Sequence, residues 1–433
     1  MKTLAFLLLF AAATLVFTSC TSGPPTPLPT PAPSGNPNPL ALSHRAAQGA
    51  NDFAFRLAAT LAQDTGDDNL IVSPFSVWLP LAALVEATQE PYQSQLLEAL
   101  GAAGLDPAVI NQTASRMIFD LTNEGHRQFA TPDFPHHNPL RIANAIFLDH
   151  DFTLRQSFAE SFAYFYHGEI LNANFTCPST LDAINSWACY HTDGLIPHIL
   201  DELPGDDSFA VILNAIYFSD RWRRPFATGL THRDIFHGPA GESEAYFMEL
   251  RLTEHLVPYF ENYRLQAIHL PFTTGGAMTI LLPKEESAAV LLSSMTAEYF
   301  DYIVHNSVNG MGRLVLPRFS IESTIDDLAD VLTAIGVPLF DRNAAPLTGG
   351  IIYENNPVWL SDAIQKAMIE VDEEGTTAAA VTSMVFNLTM GPPPPDIIFE
   401  MICNRPFVFV LHRNTAYGGN QVLFVGMVNC VDE

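Results

Sequence analysis

The sequence predicts an α+β fold with large mixed sheets, on the basis of three observations. Apolar, β-branched strand segments and helical segments follow one another without the strict alternation of a parallel α/β protein. The composition is that of a globular chain of 433 residues, 48% hydrophobic, with 30 Phe and 4 Trp. Neither an internal repeat nor a linker interrupts the sequence after residue 45. We therefore expect one domain, spanning residues 43–433.

The helices and strands are predicted in order along the chain. Asn51–Gln63 carries apolar residues at helical spacing, with Asn51 and Asp52 as candidate caps. Residues 69–87 begin as a short buried strand, turn at Ser73-Pro74 and continue as a buried helix. The same patterns predict strands at 140–149, 209–222 and 312–323, hairpins at 265–283 and 403–430, and helices at 181–194 and 327–336.

The first 19 residues have the features of a secretory signal peptide. One lysine precedes an apolar stretch from Leu4 to Phe17, which is too short for a stable membrane span. The ending Phe17-Thr18-Ser19-Cys20 resembles a bacterial lipoprotein box, in which the cysteine is lipidated and becomes the new N-terminus. Phe17 stands where leucine is usual, so the alternative is simple cleavage nearby, which would give a secreted protein.

A proline-rich stretch follows the signal peptide. Residues 20–42 contain TSGPPTPLPTPAPSGNPNP, which is typical of an extended, semi-rigid spacer. Such a tether would hold a folded domain away from a membrane. We expect an exported lipoprotein of the cell envelope or cell surface, whose only contact with the membrane is its N-terminal lipid.

Four cysteines after Cys20 could form disulfides in an oxidising compartment. The predicted hairpin at 403–430 consists of two apolar runs around a polar turn, which places Cys403 opposite Cys430. We predict a disulfide between these two and, by elimination, one between Cys177 and Cys189. No C-x-x-C or Cys/His ligand spacing is present, so no metal site is expected.

The formal net charge of −27 is spread along the chain. This balance argues against nucleic acid as a partner and against polybasic docking on anionic lipid. No G-x-S-x-G, H-E-x-x-H, P-loop or G-x-G-x-x-G motif is present. The sequence therefore predicts a protein that is not an enzyme and needs no cofactor.

Eight sequence blocks occur in the order and spacing of the serpin family: NDFAFRL, NLIVSPFSV, IANAIFLDHDFTL, INSWACYHTDGLI, LNAIYFSDRWRRPF, LPRFSIES, KAMIEVDEEGTTAAAVT and NRPFVFVLHRN with VLFVGMVN. The chain thus resembles serpins over nearly everything from residue 45 to 433. The resemblance implies three β-sheets, about nine helices and an exposed reactive loop at about residues 374–402. It also implies a monomer that inhibits serine proteases, and sometimes cysteine proteases, by a suicide mechanism.

The segment EEGTTAAA matches the hinge of the family's reactive loop. In such a protein the cleaved loop enters the main sheet as a new strand. An entering strand cannot contain proline or an inward charge, and residues 375–390 contain neither. Alternation points the even-numbered residues from Thr376 to Phe386 inward. The hinge residues are Glu373, Glu374, Gly375, which supplies backbone freedom, Thr376, Ala378, Ala379 and Ala380.

The family's spacing places the reactive bond fourteen residues after Gly375, at Thr389-Met390. A shift of one residue leaves Leu388-Thr389 and Met390-Gly391 open as alternatives. None of these positions offers a basic side chain. We therefore expect a target protease that is elastase-like, subtilisin-like or chymotrypsin-like.

The resemblance also implies which residues control the opening of the sheet. Trp222 and Glu373 match positions at the top, where insertion begins. Beneath the sheet, Ser73, Ser76 and Asn214 match a hydrogen-bonded cluster that parts during insertion. Where many serpins have histidine in the strand before the hinge, this chain has Gln365.

Two hypotheses of different classes follow. The first is an envelope-tethered inhibitor that captures a protease as an acyl-enzyme when the cut loop enters the main sheet. The alternative is a non-inhibitory protein of the same fold that acts by binding or as a scaffold in the cell envelope.

Overall fold

The computed structural model describes residues 41–122, 140–150, 152–192, 194, 196–203, 210–341, 346–352, 358–360, 363–376, 398–415 and 419–431. These residues form a mixed α+β fold, as the sequence predicts. Nine α-helices lie within the described ranges: Ala41–Asp64, Pro74–Ala87, Tyr92–Ala99, Pro107–Thr122, Gln156–Tyr166, Pro178–His191, Ala288–Ser293, Ala297–His305 and Leu328–Ala334. None of these nine is both long and apolar enough to span a membrane.

Eighteen strands also lie within the described ranges. They are β1 (Leu70–Val72), β2 (Leu140–Asp149), β3 (Thr153–Leu154), β4 (Glu169–Ala173), β5 (Ala210–Phe218), β6 (Asp220–Arg221), β7 (His232–Gly238), β8 (Gly241–Glu261), β9 (Leu265–Pro271), β10 (Ala277–Pro283), β11 (Val308–Pro317), β12 (Phe319–Ile325), β13 (Ile351–Ile352), β14 (Gln365–Val371), β15 (Gly375–Thr376), β16 (Ile398–Ile402), β17 (Phe407–Asn414) and β18 (Asn420–Val428).

The largest sheet has nine strands, in the order β1-β18-β17-β10-β9-β8-β11-β16, with β7 paired to β8. The predicted hairpin at 265–283 is present as β9 and β10, in antiparallel register with Ala277 opposite Pro271. Its turn uses Gly275 and Gly276, whose positive φ angles of 106° and 81° favour glycine.

Two smaller sheets are connected through consecutive strands of the chain. The first has the order β4-β2-β5 and the second the order β12-β14-β15-β6. Strand β5 ends at Phe218 and β6 begins at Asp220, so only Ser219 separates them. The end of β5 thus leads directly into the strand that receives β15.

The helix Pro74–Ala87 lies between this region and the largest sheet, in contact with both β5 and β18. Its first turn is fixed by Ser73, whose hydroxyl accepts a hydrogen bond from the Ser76 amide, and by proline at the first helical position. Twelve of its fourteen residues are buried. A helix that is apolar on all sides is typical of such a central position.

The predicted disulfide between Cys403 and Cys430 is wrong, because Cys403 is a free cysteine. The hairpin register begins only at Phe407, opposite Val428. Cys403 still belongs to the preceding segment, where its amide donates to the Val315 carbonyl of β11 at 2.9 Å. Strands β11 and β18 are not neighbours in the largest sheet, so the hairpin register does not pair the two cysteines.

The predicted disulfide between Cys177 and Cys189 is also wrong, because Cys189 is free. Cys177 is the N-cap of the helix Pro178–His191, and Cys189 lies in its last turn. Twelve residues of helix separate the two Cα atoms by about 18 Å, whereas a disulfide requires less than about 7 Å. Elimination along the sequence could not detect this geometry.

The expected exposed loop at about residues 374–402 is too long at both ends. Gly375 and Thr376 form β15, and residues 398–402 form β16, which pairs in parallel with β11. The reactive bond at Thr389-Met390, with its alternatives at Leu388 and Gly391, lies outside the described residues. The same holds for Ala378–Ala380, for Cys20, for the predicted signal peptide and for residues 20–40 of the predicted tether. The tether ends earlier than predicted, because residues 41 and 42 belong to the first helix.

Candidate functional site: the hinge and the strands around it

The hinge begins inside a sheet. Strand β15 lies between β14 and β6 and is antiparallel to both, with Thr376 opposite Val371 on one side and Asp220 on the other. Thr376 is only 1% exposed. The first two residues of the candidate reactive loop therefore already occupy a position between two strands.

Asp372 shapes the turn that leads into β15. Its carboxylate accepts hydrogen bonds from the amides of Glu374 at 2.8 Å and Gly375 at 3.1 Å. The Asp372 amide donates to the Gly375 carbonyl at 3.1 Å. This side-chain-to-backbone pattern is a common way for aspartate to close a tight turn, and here it returns the chain antiparallel to β14.

Gly375 is required by close packing. A Cβ atom at this position would lie 2.2 Å from the Asp220 carbonyl oxygen and 2.8 Å from the Arg221 Cα. Both contacts are with backbone, which cannot move aside as a flexible side chain could. The sequence-based explanation, backbone freedom at the hinge, is therefore incomplete: glycine lets β15 approach β6.

Glu373 anchors the turn through hydrogen bonds to Arg318 and Thr231. Its carboxylate accepts two hydrogen bonds from the Arg318 guanidinium, at 2.8 and 2.6 Å, and one from the Thr231 hydroxyl. Burial raises the pKa of this carboxyl, but the donors outweigh burial, so the pKa of Glu373 lies below its usual value. Glu373 is thus ionised and paired at neutral pH.

Trp222 holds the turn from the side of β6. Its backbone amide donates to the Glu374 carbonyl and its indole Nε1 donates to the Asp372 carbonyl, both at 2.9 Å. The ring is buried and stacks on Phe272, with 4.8 Å between ring centroids and 13° between planes. Stacking fixes the ring, so the indole and the backbone amide of Trp222 together hold the turn.

Asp220 connects the buried threonine of the hinge to a neighbouring turn. Its backbone amide lies 3.3 Å from the Thr376 hydroxyl, which accepts the hydrogen bond. Its buried carboxylate accepts from the Thr273 hydroxyl at 2.6 Å and from the Thr274 amide at 3.2 Å. The strand that receives the hinge is therefore itself firmly held.

At the other end of β14, which we call its lower end, Gln365 is hydrogen-bonded to the start of the helix Pro74–Ala87, the central helix. Its Oε1 accepts from the Ser73 amide at 3.0 Å, and its Nε2 donates to the Ser73 carbonyl at 2.8 Å and to the Ser76 hydroxyl at 2.6 Å. All three residues are buried. An amide side chain can donate and accept at once, so Gln365 anchors β14 to this helix without a titratable group.

Asn214 does not join this cluster, contrary to the sequence-based grouping. Its Nδ2 donates to Asn144 Oδ1 on β2 at 2.6 Å, and Asn144 in turn donates to the Tyr166 carbonyl at 2.8 Å. Within the described ranges no donor reaches the buried Asn214 Oδ1. The structure therefore separates the expected cluster into two groups, one on β14 and one on β5.

The strands that carry these two groups are not paired with each other. In the described part of the chain, β5 pairs only with β2, and β14 pairs only with β12 and β15. The strands β14 and β5 belong to two halves, which are connected at the upper end of β14, where β15 lies between β14 and β6. An incoming strand could therefore continue downward from Thr376 between β14 and β5.

Sequence reasoning misses four residues that hold the hinge: Asp220, Thr231, Arg318 and Asp372. Asp372 has a local signal, since aspartate two residues before a backbone donor is typical of a turn. The other three lie 50 to 160 positions before the hinge, and only the fold brings them to it.

Comparisons with known proteins agree with this architecture. The family model of Serpin (serine protease inhibitor) matches residues 48–431. Plasminogen activator inhibitor 1 of Mus musculus is 28% identical over 403 residues, covering 90% of this chain and 93% of the relative. The native structure of tengpin, a thermophilic serpin, gives a TM-score of 0.81 at 24% identity and covers 94% of this chain and 100% of its own. Human thyroxine-binding globulin, solved in complex with thyroxine, gives a TM-score of 0.75 at 22% identity and covers 90% and 100%.

Proposed function

Because the chain belongs to the serpin family, whose members are generally protease inhibitors, we propose that it captures a serine protease by suicide inhibition. The protease serine attacks the carbonyl carbon of Thr389, the Thr389-Met390 peptide bond breaks, and the Met390 amine leaves with a proton. An ester joins the protease to Thr389. Inhibition results when the freed loop enters the sheet before water hydrolyses that ester.

One observation carries this proposal: the hinge is already seated between β14 and β6. Continuing the register of Thr376 with Val371 and with Asp220 places Thr382 between Gln365 on β14 and Asn214 on β5. A threonine hydroxyl at that point can donate to Asn214 Oδ1, which lacks a donor among the described residues. The entering strand would then bridge the two groups that are now separate.

The energetics favour insertion. A new central strand of about twelve residues forms backbone hydrogen bonds on both sides. At about 1 kcal/mol net for each bond, the gain is on the order of 10–20 kcal/mol, comparable to the stability of a whole domain. The intact protein would therefore be kinetically stable, at higher free energy than its cleaved form.

The target class follows from the residues around the proposed bond. Leu388, Thr389, Met390 and Gly391 present only small or medium uncharged side chains. We expect elastase-like, subtilisin-like or chymotrypsin-like enzymes to accept them, and trypsin-like enzymes to be poor targets.

The direct test is complex formation. The purified protein is incubated with pancreatic elastase, subtilisin and chymotrypsin, and then boiled in SDS. A covalent band at the summed mass, with the loop cut at one bond by mass spectrometry, is the expected result. If all three proteases only cleave the loop and stay active, the inhibitory function is lost.

The thyroxine-binding relative supports a second candidate, a non-inhibitory binding or scaffold protein of the same fold. In that case the loop would be cut without covalent capture, and cleavage would not raise the melting temperature. The same proteases therefore distinguish the two functions.

We also propose that the protein is exported and lipidated at Cys20. The support is the apolar N-terminus followed by a lipoprotein-like box and a proline-rich spacer. Cells expressing the protein are labelled with an alkyne fatty acid. Incorporation into the wild type but not into Cys20→Ala is expected, whereas equal labelling of both would contradict lipidation at this residue.

A further inference from the structure

A small cavity lies beside Trp222, on the face of the largest sheet near the hinge. Its volume is about 310 Å³, at the lower end of the ~300–1,000 Å³ typical of small-molecule sites. The walls are mostly apolar and come from β8, β9 and the start of β10, including Leu250, Val257 and Leu270. An occupant of this cavity would therefore need a compact apolar body.

Two arginines stand beside these apolar walls. Arg223 and Arg224 follow Trp222 directly and line the cavity. Arg223 is exposed, while Arg224 is partly buried. Burial and, to a smaller extent, the neighbouring Arg223 charge lower the pKa of Arg224.

No carboxylate forms an ion pair with either arginine among the side chains that the structure describes, which exclude those of residues 253–255. The one hydrogen bond recorded for their side chains runs from Arg224 to the Leu256 carbonyl at 3.5 Å, the outer limit for such a bond. This is unusual in a chain with only 20 basic against 47 acidic residues. Two cations without an acidic partner beside an apolar cavity leave a site for an external anion.

We propose that this cavity binds a small amphiphilic monoanion of the medium-chain carboxylate class. The apolar chain would occupy the cavity between Leu250 and Leu270, and the carboxylate would bind the guanidinium groups of Arg223 and Arg224. A planar guanidinium matches a carboxylate with two parallel hydrogen bonds. The rest of the acidic surface repels anions, so this pair also selects where the ligand binds.

The buried His269 at the wall does not supply charge to the site. Its two ring nitrogens lie 2.6 Å from the Thr279 hydroxyl and 2.7 Å from the Ser307 hydroxyl. Burial lowers the pKa of His269 to about 4, so the ring is neutral. The charge that recognises the ligand therefore comes from the two arginines alone.

The test uses decanoate on the intact full-length protein, with isothermal calorimetry and tryptophan fluorescence as readouts. Decanol and decyltrimethylammonium supply the same chain with a neutral and a positive head. We expect one decanoate to bind for each chain, at least tenfold more tightly than either analogue. Added salt should weaken only the decanoate, because its head binds through charge.

The variants separate the contribution of the ligand's carboxylate from that of its acyl chain. Arg223→Gln with Arg224→Gln should weaken decanoate at least tenfold and leave decanol unchanged, while Leu256→Trp should fill the cavity and weaken both. Arg233→Gln removes an arginine that pairs with Glu244 on the exposed β7–β8 edge and serves as the matched control. Unchanged melting temperatures show that each variant is folded.

Equal decanoate affinity in the wild type and the double arginine variant would overturn the proposal. So would binding of the cationic analogue as tight as that of decanoate, or no decanoate binding up to millimolar concentration. Because binding is measured without a protease, failure of the inhibitory function would not affect this result.

Discussion

The upper and lower ends of the β14 strand differ in how they are joined to the other half of the sheet. At the upper end, β15 links β14 to β6, and Glu373, Trp222 and Asp372 hold the connecting turn. At the lower end, Gln365 bonds to the central helix, while Asn214 on β5 bonds to Asn144. No hydrogen bond recorded for the described residues crosses from Gln365 to Asn214.

If the cut loop enters the sheet as proposed, this difference indicates that insertion begins at the upper end of β14. The upper end already has the strand-between-strands geometry of the inserted state. At the lower end the two halves make separate contacts, so a strand can enter without first breaking a bond between them.

The largest effect is expected for Thr376→Arg, which breaks the upper end. Thr376 is 1% exposed, and burying an arginine there without a partner would cost several kcal/mol. The complex formed with the target protease should fall about 100-fold, an effect of roughly 3 kcal/mol, and the variant should be cleaved as a substrate. The measurement is a titration of protease activity against inhibitor.

The matched control for that variant is Thr377→Arg, at the next position, which alternation points outward. It should keep near-normal inhibition. Equal inhibition by both variants would contradict the insertion model.

A smaller effect is expected for Gly375→Val. The new side chain would meet the backbone of Asp220 and Arg221, and such overpacking typically costs about 1–3 kcal/mol. Amide exchange in residues 371–376 should become at least tenfold faster, with slower inhibition. Gly229→Val is the control, since open space surrounds that glycine; similar exchange in both variants would mean that close packing at β6 does not matter.

A double-mutant cycle sharpens the contrast at the lower end. Gln365→Leu leaves buried groups of Ser73 unsatisfied and should lower the free energy of unfolding by about 2–3 kcal/mol. Asn214→Leu should cost about 1 kcal/mol. Because the two residues make separate contacts, their effects should add within about 0.5 kcal/mol. A coupling energy above about 1 kcal/mol in urea denaturation would show that Gln365 and Asn214 interact, contrary to this account.

The smallest effect concerns pH, to which only the upper end should respond. The pKa of Glu373 is lower when folded, so its ion pair with Arg318 stabilises the protein fully above the ordinary glutamate pKa of about 4.5. That stabilisation is lost as the pH falls through the folded-state pKa. Glu373→Gln should therefore cost about 1–2 kcal/mol at pH 7 and distinctly less at pH 3.

The pH comparison is made by denaturation of the wild type and the variant at each pH. Gln365→Asn, which also shortens a contact of β14 but carries no charge, should cost the same at both pH values. A pH-independent effect of Glu373→Gln would contradict the assignment of that ion pair.

Local patterns predicted the elements of this fold well. Serine followed by proline marked the start of the buried helix at Pro74, and glycines marked the β9–β10 turn. Both signals depend on backbone conformation within a few residues. The collinear blocks extended this to the whole fold, which the comparisons confirm.

Long-range register and packing could not be predicted in the same way. The hairpin of β17 and β18 contains a register shift between Leu411 and His412, and it begins four residues after Cys403, so a count from the turn misplaced the cysteines. The grouping of Asn214 with Ser73 and Ser76 failed because Asn214 bonds from β5 to Asn144 on β2, whereas Ser73 and Ser76 bond to Gln365 on β14. Arg318 and Thr231 reach Glu373 only through the fold.

The most direct test of the account is the melting temperature of the protein before and after a non-target protease cuts the loop. If the loop enters between β14 and β5, new backbone hydrogen bonds should raise the melting temperature by more than about 10 °C, and amide exchange in residues 377–388 should become slow. A cut protein that melts no higher than the intact one, with residues 377–388 exchanging freely, would contradict it.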